Sequence, residues 1–354
     1  MRIGIPREIK TLEGRVGLIP AACGELQRLG HRVCIEQGAG KKSGYSDEQY
    51  RALGVEVLPD AASVYASSEL IIKVKEPIEG DLALLRREHV LFCYMHLAAN
   101  RVLAERLCEI VLTAVAFETV TDAGTLPLLA PMSDIAGRLS VQIGATLLQQ
   151  PQGGKGLLLG GLPAAERGKV VVIGAGVAGG SAASMAAALG AQVTVFDIKR
   201  DRLADMRALG NNVTALYPYA DSLACAVRDA DLLIGATLLP GHRAAHLVSA
   251  EQVRSMAPGS VIVDISVDQG GCIETTRPTT YADPTYVVDG VLHFAVTNMP
   301  GAVPRSASQA LSAAVLPYAR HLAGEDWMSN AGLVAGVNVR AGAVVHPALR
   351  EEFY

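Results

Sequence analysis

Charged side chains and aromatic rings are both scarce in this sequence of 354 residues. Charged residues make up 19% of the chain and aromatic residues 5%, and 31 basic against 35 acidic side chains give a net charge of −4. Without an excess of positive charge, the chain lacks the basic surface that nucleic-acid binding requires. Because half of the residues are apolar, the chain can bury a large core, which excludes disorder. Its length suggests two domains.

Paired cysteines and a leader segment are also lacking. The six cysteines are scattered, and none stands in the Cys-x-x-Cys spacing of zinc sites and redox motifs. Met1 is followed by a strand-like segment, Arg2–Ile5, and not by a basic region, an apolar run and a cleavage site. We therefore expect reduced thiols, no metal and a cytoplasmic protein.

One long stretch carries no charge. The segment from Val170 to Phe196 has 27 uncharged residues, enough to span a bilayer or to form a buried strand–helix–strand unit. It contains five glycines and many Ala and Ser residues, whereas a lipid-facing helix favours bulky aliphatic side chains. We expect a buried core here and no membrane association.

Strand-like and helix-like segments alternate along most of the chain, which predicts mostly parallel sheets with helical crossovers. We expect an α/β fold of two Rossmann-like, doubly wound domains, of which the first is discontinuous. The first domain would comprise 1–130 plus 305–354, and the second 131–304. The tail is interpreted as helix, turn and helix without strands. Ser133 is predicted to cap a helix that continues to Gln149.

An aliphatic strand leads into a glycine fingerprint, Gly174-x-Gly176-x-x-Gly179, that opens an Ala-rich helix. Glycine allows the tight turn and the close approach of the backbone to a pyrophosphate at a helix N-terminus. Asp197 lies 23 residues after Gly174, at the end of the next strand, where a carboxylate accepts hydrogen bonds from an adenosine ribose. This carboxylate favours NAD over NADP, although the nearby Lys199, Arg200 and Arg202 leave weak NADP use open. The alternative is a glycine-rich turn without a ligand.

Three polar residues, Lys75, His96 and Asp268, follow predicted strands, at the edge where open parallel sheets bind ligands. A lysine binds a carboxylate or polarises a carbonyl, a histidine exchanges a proton near neutral pH, and a carboxylate orients water or ammonia. Arg15 would add a bidentate contact to a substrate carboxylate. Taken singly, each has a structural alternative: a solvated lysine, a core histidine, a turn carboxylate and a surface arginine.

At these residues the sequence resembles the alanine dehydrogenase family, which is related to the alpha subunit of the membrane transhydrogenase. The resemblance covers essentially the whole chain. It is carried by these motifs: Gly4-Ile-Pro-Arg-Glu-Ile-Lys10, Arg15-Val-Gly-Leu18, Val74-Lys-Glu-Pro77, Tyr94-Met-His-Leu-Ala-Ala99, Leu126-Pro-Leu-Leu-Ala-Pro-Met-Ser133, Val267-Asp-Gln-Gly-Gly-Cys-Ile-Glu-Thr275, Asp283-Pro-Thr-Tyr-Val-Val-Asp-Gly290 and Asn298-Met-Pro-Gly-Ala-Val-Pro-Arg305.

The resemblance implies reversible oxidative deamination of L-alanine to pyruvate and ammonia with NAD, in a homo-oligomer for which a hexamer is favoured. It implies His96 and Asp268 as catalytic residues, and substrate binding by Arg15, Lys75, Met132 and Asn298. The residues implied in NAD binding are Ser133, Gly174, Gly176, Val177, Ala178, Gly179, Asp197, Arg202, Thr237, Leu238, Ile265, Ser266, Val267, Asp268, Val296, Thr297, Asn298 and Met299. Tyr217 and Pro218 stand where relatives often carry a serine near the adenosine.

Other functions remain as alternatives at this point. One is a dehydrogenase of another small 2-amino acid, since a single sequence does not show the size of the pocket for the substrate's side chain. Another is the soluble NAD-binding subunit of a transhydrogenase, which would bind NAD without turning over an amino acid. A nonenzymatic NAD-binding protein is the third. The presence of both His96 and Asp268 favours an enzyme.

Overall fold

Short aliphatic segments form two β-sheets in the computed structural model, which describes residues 1–237 and 246–353. The chain divides into two units, Met1–Met132 with Gly301–Tyr354, and Ser133–Pro300. The strands are β1 (Arg2–Ile5), β2 (Arg32–Glu36), β3 (Glu56–Leu58), β4 (Leu70–Ile72), β5 (Val90–Cys93), β6 (Thr113–Ala116), β7 (Lys169–Ile173), β8 (Gln192–Phe196), β9 (Val213–Leu216), β10 (Leu232–Gly235), β11 (Val261–Asp264), β12 (Thr285–Val288), β13 (Val291–Phe294), β14 (Val337–Arg340) and β15 (Ala343–Val344).

Helices connect most of these strands. They are α1 (Pro20–Arg28), α2 (Asp47–Arg51), α3 (Ala61–Ser67), α4 (Glu79–Leu82), α5 (Arg101–Ile110), α6 (Ala130–Leu147), α7 (Val177–Ala188), α8 (Arg200–Arg207), α9 (Ala220–Asp229), α10 (Ala250–Arg254), α11 (Pro304–Leu322), α12 (Ala331–Ala335) and α13 (Pro347–Phe353). Within the described residues, we find no helix with the length and apolar character that crossing a membrane requires.

The first unit contains an eight-stranded sheet with the order β15-β14-β6-β5-β4-β1-β2-β3. Strands β1 to β6 pair in parallel, so their carboxyl ends lie along one edge of the sheet. All three residues of β4 are buried, as expected for a parallel strand that is covered on both faces. At this edge Lys75 and His96 follow β4 and β5, and Arg15 lies in the loop after β1.

The tail contributes two strands, so the prediction of a tail without strands is wrong. Strand β14 pairs antiparallel with β6, through Val337↔Val115 and Val339↔Ala114, and β15 pairs antiparallel with β14. These strands are short, and β14 depends on a partner that is distant in the sequence. A local pattern therefore gives little sign of them.

The second unit contains a seven-stranded sheet with the order β12-β13-β11-β10-β7-β8-β9. All of its pairs are parallel except β12 with β13. The sequence pattern does not predict β9 and β13 here, nor β3 in the first unit. Strands β7 and β10 are central, and their aliphatic residues from Val170 to Ile173 and from Leu232 to Ile234 are buried.

Helix α6 begins at Ala130, so Ser133 lies inside the helix and the prediction that it is the cap is wrong. Pro131 falls in the first turn, where a residue without an N–H costs no helical hydrogen bond. The helix packs closely on α7: a Cβ added at Gly137 would come within 2.1 Å of the Ala178 carbonyl oxygen. The small residues of this region thus serve close helix packing.

Candidate active site

Arg15 is buried in the first unit beside a carboxylate that sequence reasoning missed. Its Nε and Nη2 donate to the two carboxylate oxygens of Glu13, both at 2.6 Å, and its Nη1 lies 3.1 Å from the sulfur of Met132. Burial lowers the pKa of Arg15, but the hydrogen bond and the charge of Glu13 more than offset this effect and raise it. Arg15 is therefore a fixed, permanently charged group.

Lys75 follows β4 and is held through its backbone. Its N–H and that of Val74 donate to Oε1 of Glu8, at 3.3 and 2.6 Å. Burial lowers the pKa of the Lys75 ammonium, and the positive charges of Arg15 and Lys10 lower it further, against the opposing effect of nearby carboxylates. A cation beside other cations, in a half-buried position, favours an anionic ligand.

His96 follows β5 and has an exposed side chain on a strained backbone. Its φ is +50°, in the left-handed region that non-glycine residues seldom adopt. The Glu118 carboxylate accepts the N–H of His96 at 2.6 Å and that of Met95 at 3.1 Å. The imidazole lies parallel to the Tyr94 ring, with ring centres 6.0 Å apart. Glu118, which the sequence did not single out, thus fixes the turn that presents this imidazole.

The glycine fingerprint of the second unit divides into two kinds of position. A Cβ at Gly179 would lie 1.7 Å from the Gly174 carbonyl oxygen, and one at Gly174, where φ is +97°, would lie 2.6 Å from that of Ala236. Packing alone therefore requires glycine at these two positions. At Gly176, the first atom that a Cβ would approach is Nη1 of Arg202, at 3.7 Å. The fold leaves space at Gly176, where α7 begins, and a pyrophosphate fits this position.

Asp197 follows β8, where its carboxylate joins two turns. Its Oδ2 accepts the N–H of Ala175 at 2.7 Å, and its Oδ1 accepts the N–H of Lys199 at 2.8 Å. Nη1 of Arg202 lies 3.6 Å from Oδ2. The carboxylate is thus held beside the glycine turn, at the place where an adenosine ribose is bound in dinucleotide folds.

Asp268 lies in a 3₁₀ helix, Ile265–Gln269, that follows β11. Its exposed carboxylate accepts the N–H of Asn298 at 3.4 Å, and Asn298 has a φ of +58°. The Ser266 hydroxyl donates to the carbonyl of Thr237 at 2.7 Å. These contacts bring the segments after β10, β11 and β13 together at one edge of the second sheet.

A further carboxylate missed by sequence reasoning, Asp264, shapes this edge. Its Oδ1 accepts the N–H of Ser266 at 2.9 Å, and its Oδ2 accepts the Thr276 hydroxyl at 2.7 Å and the N–H of Cys272 at 3.1 Å. Burial raises the pKa of Asp264, and these hydrogen bonds, which lower it, offset the rise only in part. It fixes the start of the 3₁₀ helix that carries Asp268.

Models of a known family match both parts of the chain. Residues 4–136 match the alanine dehydrogenase/PNT N-terminal domain, and residues 140–347 match the corresponding C-terminal domain. The chain belongs to the alanine dehydrogenase/PNT family.

Individual members of the alanine dehydrogenase/PNT family are similar over nearly their full length. The alanine dehydrogenase of Bacillus subtilis is 46% identical over 358 residues, which cover 99% of this chain and 94% of that protein. The alanine dehydrogenase of Mycobacterium tuberculosis H37Rv is 46% identical over 351 residues, with coverage of 98% and 95%.

Solved structures of the family share the fold. An L-alanine dehydrogenase is 49% identical and superposes with a TM-score of 0.96, over 100% of this chain and 99% of that one. A transhydrogenase from Sinorhizobium meliloti is 27% identical, with a TM-score of 0.86 and coverage of 98% and 100%. The two-unit α/β architecture is therefore that of the alanine dehydrogenase/PNT family.

The remaining predicted residues of this family member lie on several elements. Val177 and Ala178 form the first turn of α7, and Val296 and Thr297 follow β13. Met299 begins a 3₁₀ helix and accepts the Tyr281 hydroxyl through its carbonyl. Leu238 lies outside the described residues.

Proposed function

We propose that this chain catalyses the reversible, NAD-dependent oxidative deamination of L-alanine to pyruvate and ammonia. The observation that carries the proposal is the full-length similarity, at 46% identity, to proteins named alanine dehydrogenase. The placement of Arg15, Lys75 and His96 after the neighbouring strands β1, β4 and β5 supports it, because one sheet edge then carries two cations and an imidazole.

We assign carboxylate binding to Arg15 and Lys75. Glu13 occupies two donors of the guanidinium and thereby holds its plane, and Lys75 adds a second positive charge. Together they would bind the carboxylate of alanine or pyruvate by charge-assisted hydrogen bonds. Met132, which contacts Arg15, and Asn298 are proposed to line the substrate pocket.

We assign acid–base chemistry to His96. NAD, when bound, would supply the hydride acceptor for Cα of alanine in its neutral amine form, and the oxidised substrate is then an iminium ion. His96 then removes a proton from the water that adds to the iminium carbon and passes it to the nitrogen of the carbinolamine. As ammonia leaves, His96 takes the proton of the hydroxyl group, so that the carbonyl of pyruvate forms. Asp268 is proposed to orient the water and the departing ammonia. General acid–base assistance of this kind is worth about 10²–10⁴-fold in rate.

We assign NAD binding to the segment 131–304 and substrate binding to 1–130 with 305–354. The space at Gly176 and the carboxylate of Asp197 fit a pyrophosphate and an adenosine ribose. The negative charge of Asp197 disfavours the 2′-phosphate of NADP. The NAD contacts proposed for Ser133, Thr237, Leu238, Ile265, Ser266, Val267 and Val296 to Met299 complete this assignment.

A transhydrogenase subunit is the second candidate, because a transhydrogenase is 27% identical over its full length. The two candidates, and a dehydrogenase of another 2-amino acid, differ in one assay. NADH formation is measured at alkaline pH with a panel of small amino acids and with NAD or NADP. We expect the highest kcat/KM with L-alanine and NAD. NADH binding without turnover of any amino acid would favour the transhydrogenase function.

We also propose a cytoplasmic homo-oligomer, with a hexamer favoured. Light scattering of the purified protein tests the assembly, and a mass equal to one chain would overturn it.

A further inference from the structure

A lysine with no assigned role, Lys73, is buried two residues before Lys75. The side chain of Lys73 is 0% exposed, and its Nζ lies 3.2 Å from Oδ1 of Asp81 and 3.5 Å from Oε2 of Glu8. Burial lowers the pKa of Lys73, but the two carboxylates more than offset this effect and raise it. The lysine therefore remains charged. Burying these charges costs desolvation free energy, so stabilisation of the fold does not by itself explain a cluster of this kind.

Lys73, Glu8 and Asp81 form a buried ion cluster. This cluster holds the segment 73–78, which carries Lys75. At one end, Lys73 is fixed by its ion pairs and by its N–H, which donates to the Phe92 carbonyl at 3.1 Å. At the other end, Oδ2 of Asp81 accepts the N–H of Ile78 at 3.2 Å. Asp81 also accepts the Tyr65 hydroxyl at 2.9 Å. One aspartate thus joins the beginning and the end of the segment 73–78.

Glu8 acts on the middle of the segment. Strand β1 adjoins β4 in the sheet but ends at Ile5. The N–H groups of Val74 and Lys75, beyond the end of β4, donate to Oε1 of Glu8, while Oε2 faces Lys73. The carboxylate therefore takes the place of a strand partner, and Lys73 fixes the carboxylate.

We propose that Glu8, held by Lys73, is a positioning residue that fixes the backbone from which Lys75 extends toward the substrate carboxylate. The inference rests on the carboxylate-binding role proposed for Lys75. It gives the buried Lys73–Glu8–Asp81 cluster a function in substrate affinity that is separable from folding stability.

Two substitutions of Glu8 separate geometry from charge. Glu8→Asp keeps the charge that faces Lys73 but shortens the side chain, which withdraws the acceptor from Val74 and Lys75. Glu8→Gln keeps the length and a carbonyl acceptor but removes the charge. Both variants are mild enough to be compared with wild type by thermal melting, NADH binding and steady-state kinetics.

Positioning predicts that Glu8→Asp raises the KM for alanine on the order of tenfold, because small displacements of a binding group cost large factors. The dissociation constant of NADH should stay within about twofold, since it depends on the other unit. Glu8→Gln should keep a KM within about threefold of wild type even if it melts at a lower temperature. A KM that follows the melting temperature in both variants, or that changes in neither, would overturn the proposal.

Asp231 offers a matched control in the second unit. It pairs with Lys155 at 2.7 Å and accepts the N–H of Lys169 at 2.7 Å, so it is also a carboxylate that joins a lysine to a backbone N–H. Asp231→Asn should lower the melting temperature without changing the KM for alanine.

Amide hydrogen exchange of 73–78 supplies a readout that needs no substrate. Faster exchange in Glu8→Asp than in wild type supports the positioning contact, and unchanged exchange contradicts it. Absence of alanine turnover in the wild-type enzyme would instead contradict the proposed function.

Discussion

At the scale of single residues, three of the predicted site residues are held in place by carboxylates that were not themselves predicted. Arg15 is held by Glu13, the N–H of His96 by Glu118, and the backbone of Lys75 by Glu8. The sequence indicates the cation or the imidazole, because a lone polar residue after a strand is conspicuous. It does not indicate Glu8 or Glu118, because the sheet order brings their partners to them from neighbouring strands. Glu13 stands two residues before Arg15, and the sequence does not distinguish such a local pair of opposite charges from one in an exposed loop.

Replacement of His96 by alanine tests the acid–base assignment. We expect kcat for alanine oxidation to fall by at least about 10²-fold, because water addition and ammonia release lose their proton carrier. NADH affinity, measured by fluorescence titration, should be retained. Near-normal oxidation of alanine by His96→Ala would contradict the assignment.

The ionisation of Lys75 should appear in the pH dependence of substrate binding. Burial and the charges of Arg15 and Lys10 place the pKa of Lys75 below its ordinary value of 10.5. As the pH rises through that lowered pKa, the ammonium loses its charge and pyruvate binds more weakly. As the pH is increased, we therefore expect the dissociation constant of pyruvate from the enzyme–NADH complex to increase already at a pH below 10.5, the ordinary pKa of a lysine.

Lys75→Arg provides the comparison, because arginine stays charged throughout this range. Its pyruvate affinity should be independent of pH where that of the wild type declines. An identical alkaline decline in both proteins would show that another group is responsible.

The carboxylate of Asp197 should determine the choice of dinucleotide. Asp197→Ala removes the acceptor for the ribose and the repulsion of a 2′-phosphate, so the ratio of kcat/KM for NADP to that for NAD should rise about tenfold or more. Asp197→Asn keeps an acceptor for the Ala175 or Lys199 N–H and controls for loss of the turn. An unchanged ratio in both variants would contradict the ribose contact.

At the scale of elements, the unit formed by β7, α7 and β8 is the part most completely predictable from sequence. An uninterrupted aliphatic strand, spaced glycines and a carboxylate after the next strand are all local signals. The start of α6 is less so, because Pro131 and Ser133 both resemble N-terminal signals and only packing decides that the helix begins at Ala130. Strand β14 carries no such signal, since it exists through its pairing with β6.

Two glycine substitutions distinguish binding from folding in this unit. Gly176→Ala places a methyl group where the nearest approach is 3.7 Å, so the melting temperature should change little and NADH affinity should fall. Gly179→Ala would come within 1.7 Å of a carbonyl oxygen and should lower the stability by several kcal/mol, as backbone overlap in a packed element does. The two are compared by thermal melting and NADH titration. Equal NADH affinity in Gly176→Ala and wild type would argue against a pyrophosphate at this position.

At the scale of the whole molecule, the low charge and the high apolar content correspond to two α/β sheets with buried strands. The 27 uncharged residues from Val170 to Phe196 contain β7, α7 and β8, so the feature that raised a membrane question is a strand–helix–strand unit. The class of fold follows from alternation along the chain. The tail strands at the edge of the first sheet do not, because they are specified by contacts across the fold.

The reaction proposed for this chain converts alanine into pyruvate with reduction of NAD. The most direct test is to incubate the purified protein with L-alanine and NAD at alkaline pH and to quantify NADH, pyruvate and ammonia together. We expect the three products to form in equal amounts, and His96→Ala to form them at least about 10²-fold more slowly. NADH binding without formation of pyruvate or ammonia would contradict the proposed reaction.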